Sequence, residues 1–226
     1  MKQGLLIILL SIFIGGCKNK SETANKIREG IITYEVSYFT SEKDNPIIAL
    51  LPSKVELRFK DDNITLTSEG YLGFFSTKFV SRYENDCSNI LLKVLNNKLN
   101  YEFPKDEVAF IYNQLPPAKI EFSDSTKTFA GFKCKKATAF SSKKCLAPIT
   151  LYYTSEIGLK KPNRNTPLYK IPGVLMQFET TMNQVRAKFT AKEVKVTEIP
   201  DEEFCIPKEY ILSDLETLRK YIVDFR

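Results

Sequence analysis

Not one histidine or tryptophan occurs in the 226 residues. Without histidine no Ser-His-Asp or Cys-His arrangement can be assembled, and no His-ligated zinc or iron site. The nine glycines spell neither a P-loop nor a dinucleotide-binding fingerprint. No Cys-x-x-Cys spacing occurs among the five cysteines, so no metal site is expected. Carboxylate chemistry would fall to the densest acidic groups, Asp61-Asp62 and Asp201-Glu202-Glu203. The first pair lies in a hairpin turn and the second group beside Pro200, so both read as exposed acidic turns. The expectation is a protein that is not an enzyme, with no catalytic residue and no cofactor.

Charge and hydropathy narrow the partners. Hydrophobic residues make up 43% of the chain and charged residues 27%, without a low-complexity tract, which is the composition of a folded domain. The formal charge of +6 falls to about +5 once Lys2 is removed with the leader described below. The tightest basic cluster, Lys133, Lys135 and Lys136, has only Phe132 beside it. Nucleic-acid binding calls for a concentrated basic stripe, so no nucleic acid is expected. Diffuse positive charge suits a solvated surface or the neighbourhood of anionic lipid.

The one long hydrophobic run is at the start. Lys2 precedes residues 5–14, nearly all Leu, Ile and Phe, and the run ends in Gly15-Gly16-Cys17. A charged beginning, a short apolar stretch and small residues at its end make a signal peptide over residues 1–16, too short for a comfortable membrane span. Ile14-Gly15-Gly16-Cys17 resembles a bacterial lipobox, which implies diacylglyceryl attachment at Cys17 followed by cleavage before it. Two or three acyl chains anchor firmly where one binds reversibly. Residues 17–29 then read as lipidated Cys and polar tether, and residues 30–226 as one β-rich domain. Lys18-Asn19 after the anchor carries no Asp that would signal inner-membrane retention, so an outer-membrane location facing the periplasm is expected.

Beyond Gly30 the dominant period is two. Ile32, Tyr34, Val36 and Tyr38 alternate with polar residues, as in a half-buried strand. Val55, Leu57 and Phe59 do likewise, and Asp61-Asp62-Asn63 turns the chain into Ile64 to Thr67. A second hairpin is predicted over residues 90–103, its first strand apolar enough to be buried on both faces. Further strands are expected at 127–130, 132–140, 149–154, 174–179 and 184–197. In the last, Val185, Ala187, Phe189 and Ala191 share odd parity and Val194 and Val196 even parity, which predicts a β-bulge near Lys192-Glu193. Helical turns are expected at 46–51 and 105–114. Only the end reads as amphipathic helix, with Ile211, Leu215, Leu218, Ile222 and Phe225 as its stripe and Ser213 with Glu216 as a capping box. About ten antiparallel strands must curl or close. The fold class is therefore mainly β: a curled antiparallel meander, half-barrel or open barrel, with a C-terminal amphipathic helix.

Three stretches carry a resemblance. They are Ala130-Gly131-Phe132-Lys133-Cys134-Lys135-Lys136-Ala137, Leu151-Tyr152-Tyr153-Thr154-Ser155-Glu156-Ile157 and Ile171-Pro172-Gly173-Val174-Leu175. In their order they resemble the GLPGLI family of secreted Bacteroidetes proteins, with Lys170-Ile171 standing where that signature has Gly-Leu. The resemblance covers roughly residues 130–180 and implies an exported, sheet-rich domain without implying an activity. The anchor, curled meander and terminal helix also look like the half-barrel carriers of the LolA and LolB kind, a likeness of architecture that does not fix function. Physically, Pro172-Gly173 punctuates the entry to a strand, so Ile171 to Leu175 read as structural.

Cys87, Cys134, Cys145 and Cys205 are the thiols left after Cys17. In an exported protein four thiols suggest disulfides, with all three connectivities open. Two functions fit the whole pattern. One is a membrane-anchored carrier or sensor with an acyl chain or other apolar ligand inside the curled sheet. The other is a non-catalytic envelope module that holds a protein partner on its surface or a strand edge.

The anchor is testable on its own. Only the Cys17 thiol can form the thioether, so Cys17→Ser is expected to stop incorporation of labelled palmitate and leave the leader uncleaved. Continued labelling of the variant would overturn the assignment.

Overall fold

Alternation at every second residue gives each strand one apolar face, and such strands are stable only when their faces are buried together. In the computed structural model all the strands join one twelve-stranded sheet. The structure describes residues 26–70, 73, 75–104, 107, 112, 117, 119–141, 147–182 and 185–223. The strands are β1 (Glu29–Tyr38), β2 (Lys54–Lys60), β3 (Asn63–Glu69), β4 (Phe75–Arg82), β5 (Cys87–Val94) and β6 (Asn97–Phe103), followed by β7 (Lys119–Phe129), β8 (Phe132–Phe140), β9 (Ile149–Thr154), β10 (Val174–Met182), β11 (Val185–Lys195) and β12 (Ile211–Leu212). One helix, α1 (Leu215–Val223), follows. The sheet is mainly antiparallel and not closed.

The order along the sheet is β12-β6-β5-β4-β3-β2-β1-β11-β10-β9-β8-β7. Two meanders, β1 to β6 and β7 to β11, are thus joined through the central pair β1 and β11, and residues 104–118 carry the chain from one side of the sheet to its far edge. Flat, ten spacings of about 4.8 Å would separate β6 from β7 by about 48 Å. Fifteen residues reach only about 50–54 Å at full extension. Across a flat sheet this connection would be almost fully extended; β7 instead comes into contact with β11, four places away in the order, because the sheet curls.

The expected elements are largely present. The 61–63 turn is made with Asp61 and Asp62 both at positive φ (44° and 73°), the backbone of the tightest hairpins. The β5 strand is buried almost continuously from Ser88 to Leu92. In β11, Thr33 faces Glu193 and Tyr34 faces Ala191, so Lys192 is the extra residue of the expected bulge. A 3-10 turn occupies Pro46–Leu50. Most of the turn expected at 105–114 lies outside the described residues.

Several expectations need correction. Strand β4 has no clean alternation and was not foreseen; it is held by pairing on both sides, to β3 and to β5. Strand β7 begins at Lys119, well before residue 127, because an edge strand with an exposed polar sequence shows no hydrophobic pattern. The fold starts before Gly30: Ile27 pairs with Ile157, and the Gly158 N–H donates to the Ile27 carbonyl at 2.8 Å. At the other end Ile211 is not on the helix stripe but in β12, paired in parallel with β6 and 70% exposed. The helix is capped by Asp214, whose carboxylate accepts from the Thr217 N–H at 2.7 Å, rather than by Ser213. It packs through Leu218 against Ile90, Leu92 and Phe103. Phe225 lies outside the described residues.

On the sheet's outer side a second 3-10 turn, Asp201–Phe204, lies over β3 and β4. Glu203 is not an exposed acidic turn residue. Its carboxylate meets Lys78 at 2.8 Å and Arg58 at 3.4 Å and accepts from Thr65 at 3.2 Å. Burial works against its charge, but the Lys78 ammonium and the Arg58 guanidinium prevail and hold its pKa below the usual range. A depressed carboxylate pKa contributes stability above the unfolded value, and that contribution is lost as pH falls through the folded one. Glu203→Gln is expected to destabilise the protein by about 1–3 kcal/mol at neutral pH. In denaturant titrations at several pH values the difference should shrink once the pH drops below the ordinary glutamate range, about 4.3. A constant difference down to pH 2 would contradict the ion-pair account.

Candidate apolar binding cavity

The register shows which side chains share the inner face. Phe79 stands opposite Leu66 and Ile90, Leu66 opposite Leu57, and Val55 opposite Tyr34. Val36 faces Phe189, which faces Phe178 in turn. Side chains from Phe79 and Ile90 on one flank and Leu175 and Phe178 on the other line one cavity of about 150 Å³. Six strand spacings separate β5 from β10. Their meeting around so small a space is direct evidence of the curl.

Keeping this face apolar across β10 depends on a bulge. Leu175 pairs with Tyr153 but Gln177 pairs with Tyr152, so Met176 is an extra residue, fully buried. Were Met176 to take a regular place in the ladder, Gln177 and Glu179 would share the parity of Leu175 and turn inward, and Phe178 would turn out. With the bulge Leu175 and Phe178 both reach the cavity. A bulge disrupts the ladder locally, and here the Leu175 carbonyl accepts from the Tyr34 hydroxyl, two strands away, at 2.8 Å. Burial, with a smaller contribution from Cys134, raises the Tyr34 pKa far above the ordinary phenol, so this donor keeps its proton. Phe178 stacks on Phe189 at 4.9 Å and meets Tyr34 edge-on at 6.1 Å.

The roof is the connection between β9 and β10, residues 157–172, with Pro162, Asn163, Arg164, Asn165, Thr166, Pro167 and Leu168 lining the cavity. It is fastened at four places. The Asp62 carboxylate accepts from the Lys160 N–H at 2.7 Å and pairs with the Lys160 ammonium at 3.1 Å. Asn163 donates to the carbonyls of Ile171 at 3.0 Å and Gly173 at 2.9 Å. Arg164, nearly buried, pairs with Asp86 at 2.7 Å. Asn165, at positive φ (57°), donates to the Glu107 carbonyl at 2.5 Å. From the β6–β7 connection Tyr112 also lines the cavity.

The residues singled out in the sequence fall into three groups. Ile171, Gly173, Val174 and Leu175 are buried at the hinge between roof and strand, and Pro172 is exposed. A Cβ on Gly173 would overlap the carbonyl oxygen of Thr154, so close backbone approach explains this glycine. The Ile171 and Gly173 carbonyls of this motif seat Asn163. Asp62 was expected to be an exposed turn acid; it is 7% exposed and holds the roof, while Asp61 stays at the surface. Cys87, Cys134 and Cys205 are free thiols that the fold does not bring together as disulfides. Burial pushes the Cys134 thiol up to about 11, so it is protonated at neutral pH. Cys17 and Cys145 lie outside the described residues. Asn163, Arg164 and Asn165 were missed. Their crowding between two prolines signals a turn-rich loop, but nothing local says what they hold. Among the described residues no group of His, Cys, Asp and Glu is placed to hold a metal, and no helix is long and apolar enough to cross a membrane.

No family model matches the chain, and no curated protein matches it. Among solved structures the chain is similar to LprF from Mycobacterium bovis, at 11% identity and a TM-score of 0.29, over 76% of this chain and 89% of that one. A likeness this distant transfers nothing about site or ligand.

Tyr34→Phe keeps the ring and removes the hydrogen bond to the buried Leu175 carbonyl. A loss of about 1–3 kcal/mol is expected in denaturant unfolding. A loss below about 0.3 kcal/mol would show that the bulge does not depend on this hydroxyl.

Proposed function

We propose that this protein is a lipid-anchored, non-catalytic carrier or sensor that holds an apolar molecule, or part of an acyl chain, in the cavity beneath the 157–172 roof. The observation that carries the reading is the cavity itself: about 150 Å³ lined mainly by Tyr, Phe, Leu, Ile and Val from seven strands of one sheet. Cavities this large are unusual in close-packed interiors, and an engineered apolar cavity of the same size stays dry and takes up benzene. Ligand pockets are more often about 300–1,000 Å³, so the space suits a small molecule or a chain end. Of the carboxylates that sequence offered for catalysis, Asp62 and Glu203 are engaged in ion pairs. The lipobox at Cys17 and the GLPGLI-like stretches support export and tethering to the outer membrane.

An envelope module that recruits a partner by strand addition is favoured by one observation, the eleven-residue edge strand β7. That edge carries Lys119, Glu121, Asp124 and Lys127 and a register shift between Ser123 and Thr126. Charges and bulges are how natural edges discourage pairing, so the carrier reading stands ahead.

Protein purified from its own host without added detergent is expected to show, in native mass spectrometry, a bound species that solvent extraction removes. Absence of any bound species, together with a stoichiometric protein partner in crosslinked pull-downs from intact cells, would contradict the carrier reading and favour the module.

A further inference from the structure

The cavity is apolar but not uniformly so, and two polar groups on its boundary lack partners. Asn165 lines it and is 4% exposed. Its Nδ2 faces the Glu107 carbonyl, an acceptor, which fixes the orientation of the amide and makes the other atom the oxygen. That oxygen, Oδ1, is buried with no hydrogen-bond partner. Tyr112, on the β6–β7 connection, also lines the cavity, and its hydroxyl has no partner among the described residues. Burial pushes its pKa up to about 12, so it is a neutral hydroxyl able to donate and accept.

The charged group of the roof is already spent. Arg164 is committed to Asp86 at 2.7 Å and reaches the Arg82 carbonyl at 3.5 Å. A carboxylate or phosphate entering the cavity would meet no free cation among the described lining residues, and it would face the bare acceptor of Asn165. A hydroxyl would give that acceptor the proton it lacks and accept from Tyr112. Buried polar groups left unpaired are what make such sites selective between molecules of the same shape.

We propose that the cavity is specific for an uncharged, hydroxyl-bearing apolar molecule, the size of benzene or a six-carbon chain or the end of something longer, whose hydroxyl donates to Asn165 and accepts from Tyr112. This rests on the carrier reading and names the ligand class of the same site.

The test uses hexanol, hexanoate and hexane as probes of matched length, titrated at pH 8 into the full chain with displacement of an apolar fluorescent reporter as readout. Hexanol is expected to bind about tenfold more tightly than hexanoate. In Asn165→Gly, chosen because glycine keeps the positive φ, the ratio of hexanol to hexane affinity should fall about five- to tenfold, whatever the lost roof contact does to both probes. Tyr112→Phe should lower hexanol affinity about threefold and serves if the first variant does not fold. Equal or tighter binding of hexanoate, or hexanol affinity untouched by both variants, overturns the specificity and leaves the carrier reading intact. Failure of all three probes and the reporter to bind overturns the carrier reading itself.

Discussion

The hydrogen bond from the Tyr34 hydroxyl to the Leu175 carbonyl ties the centre of the sheet to the strand that turns its inner face. It crosses β11 and lands on the bulge that lets Leu175 and Phe178 both point inward. Remove the bulge and two polar side chains, Gln177 and Glu179, would take the inner positions. The joint presence of Leu175 and Phe178 in the cavity wall follows from the register that this extra residue sets. A bulge is ordinarily a local kink; here the hydroxyl that satisfies its carbonyl comes from the other meander, so both halves of the sheet share responsibility for it.

The roof illustrates a second constraint. Residues 157–172 contain no regular element, so their backbone groups and polar side chains must find partners individually. Asp62, Asp86 and the carbonyls of Ile171, Gly173 and Glu107 supply them. Asp62 and Asp86 sit in turns of the first meander, Glu107 in the β6–β7 connection, and Ile171 and Gly173 just before β10. The strap is therefore held from both flanks of the cavity, which keeps the space beneath it from collapsing.

The sheet and most of its strands were legible because period-two alternation survives in any strand with one buried face. The β11 bulge was legible for the same reason, since Ala191 and Val194 differ in parity. The β10 bulge leaves the same mark between Leu175 and Phe178, but the extra residue, Met176, is itself apolar and hides the switch. Strand β7 was half hidden because an exposed edge has no face to bury. That β1 lies beside β11 could not be read locally: pairing between strands about 150 residues apart is a property of the whole sheet. The cavity residues of the sheet were visible as a pool of inward aromatics and aliphatics, whereas Asp62 and the Asn163 to Asn165 cluster act through partners distant in sequence.

A carrier function requires that the inner face of the sheet enclose accessible apolar space. Diffraction from crystals held under xenon pressure measures this directly, because xenon enters dry apolar cavities and marks them with strong scattering. A xenon peak is predicted between Leu66, Phe79 and Phe178, beneath Leu168 of the roof. An interior closed by side-chain packing, with no xenon at that position, would contradict the central claim.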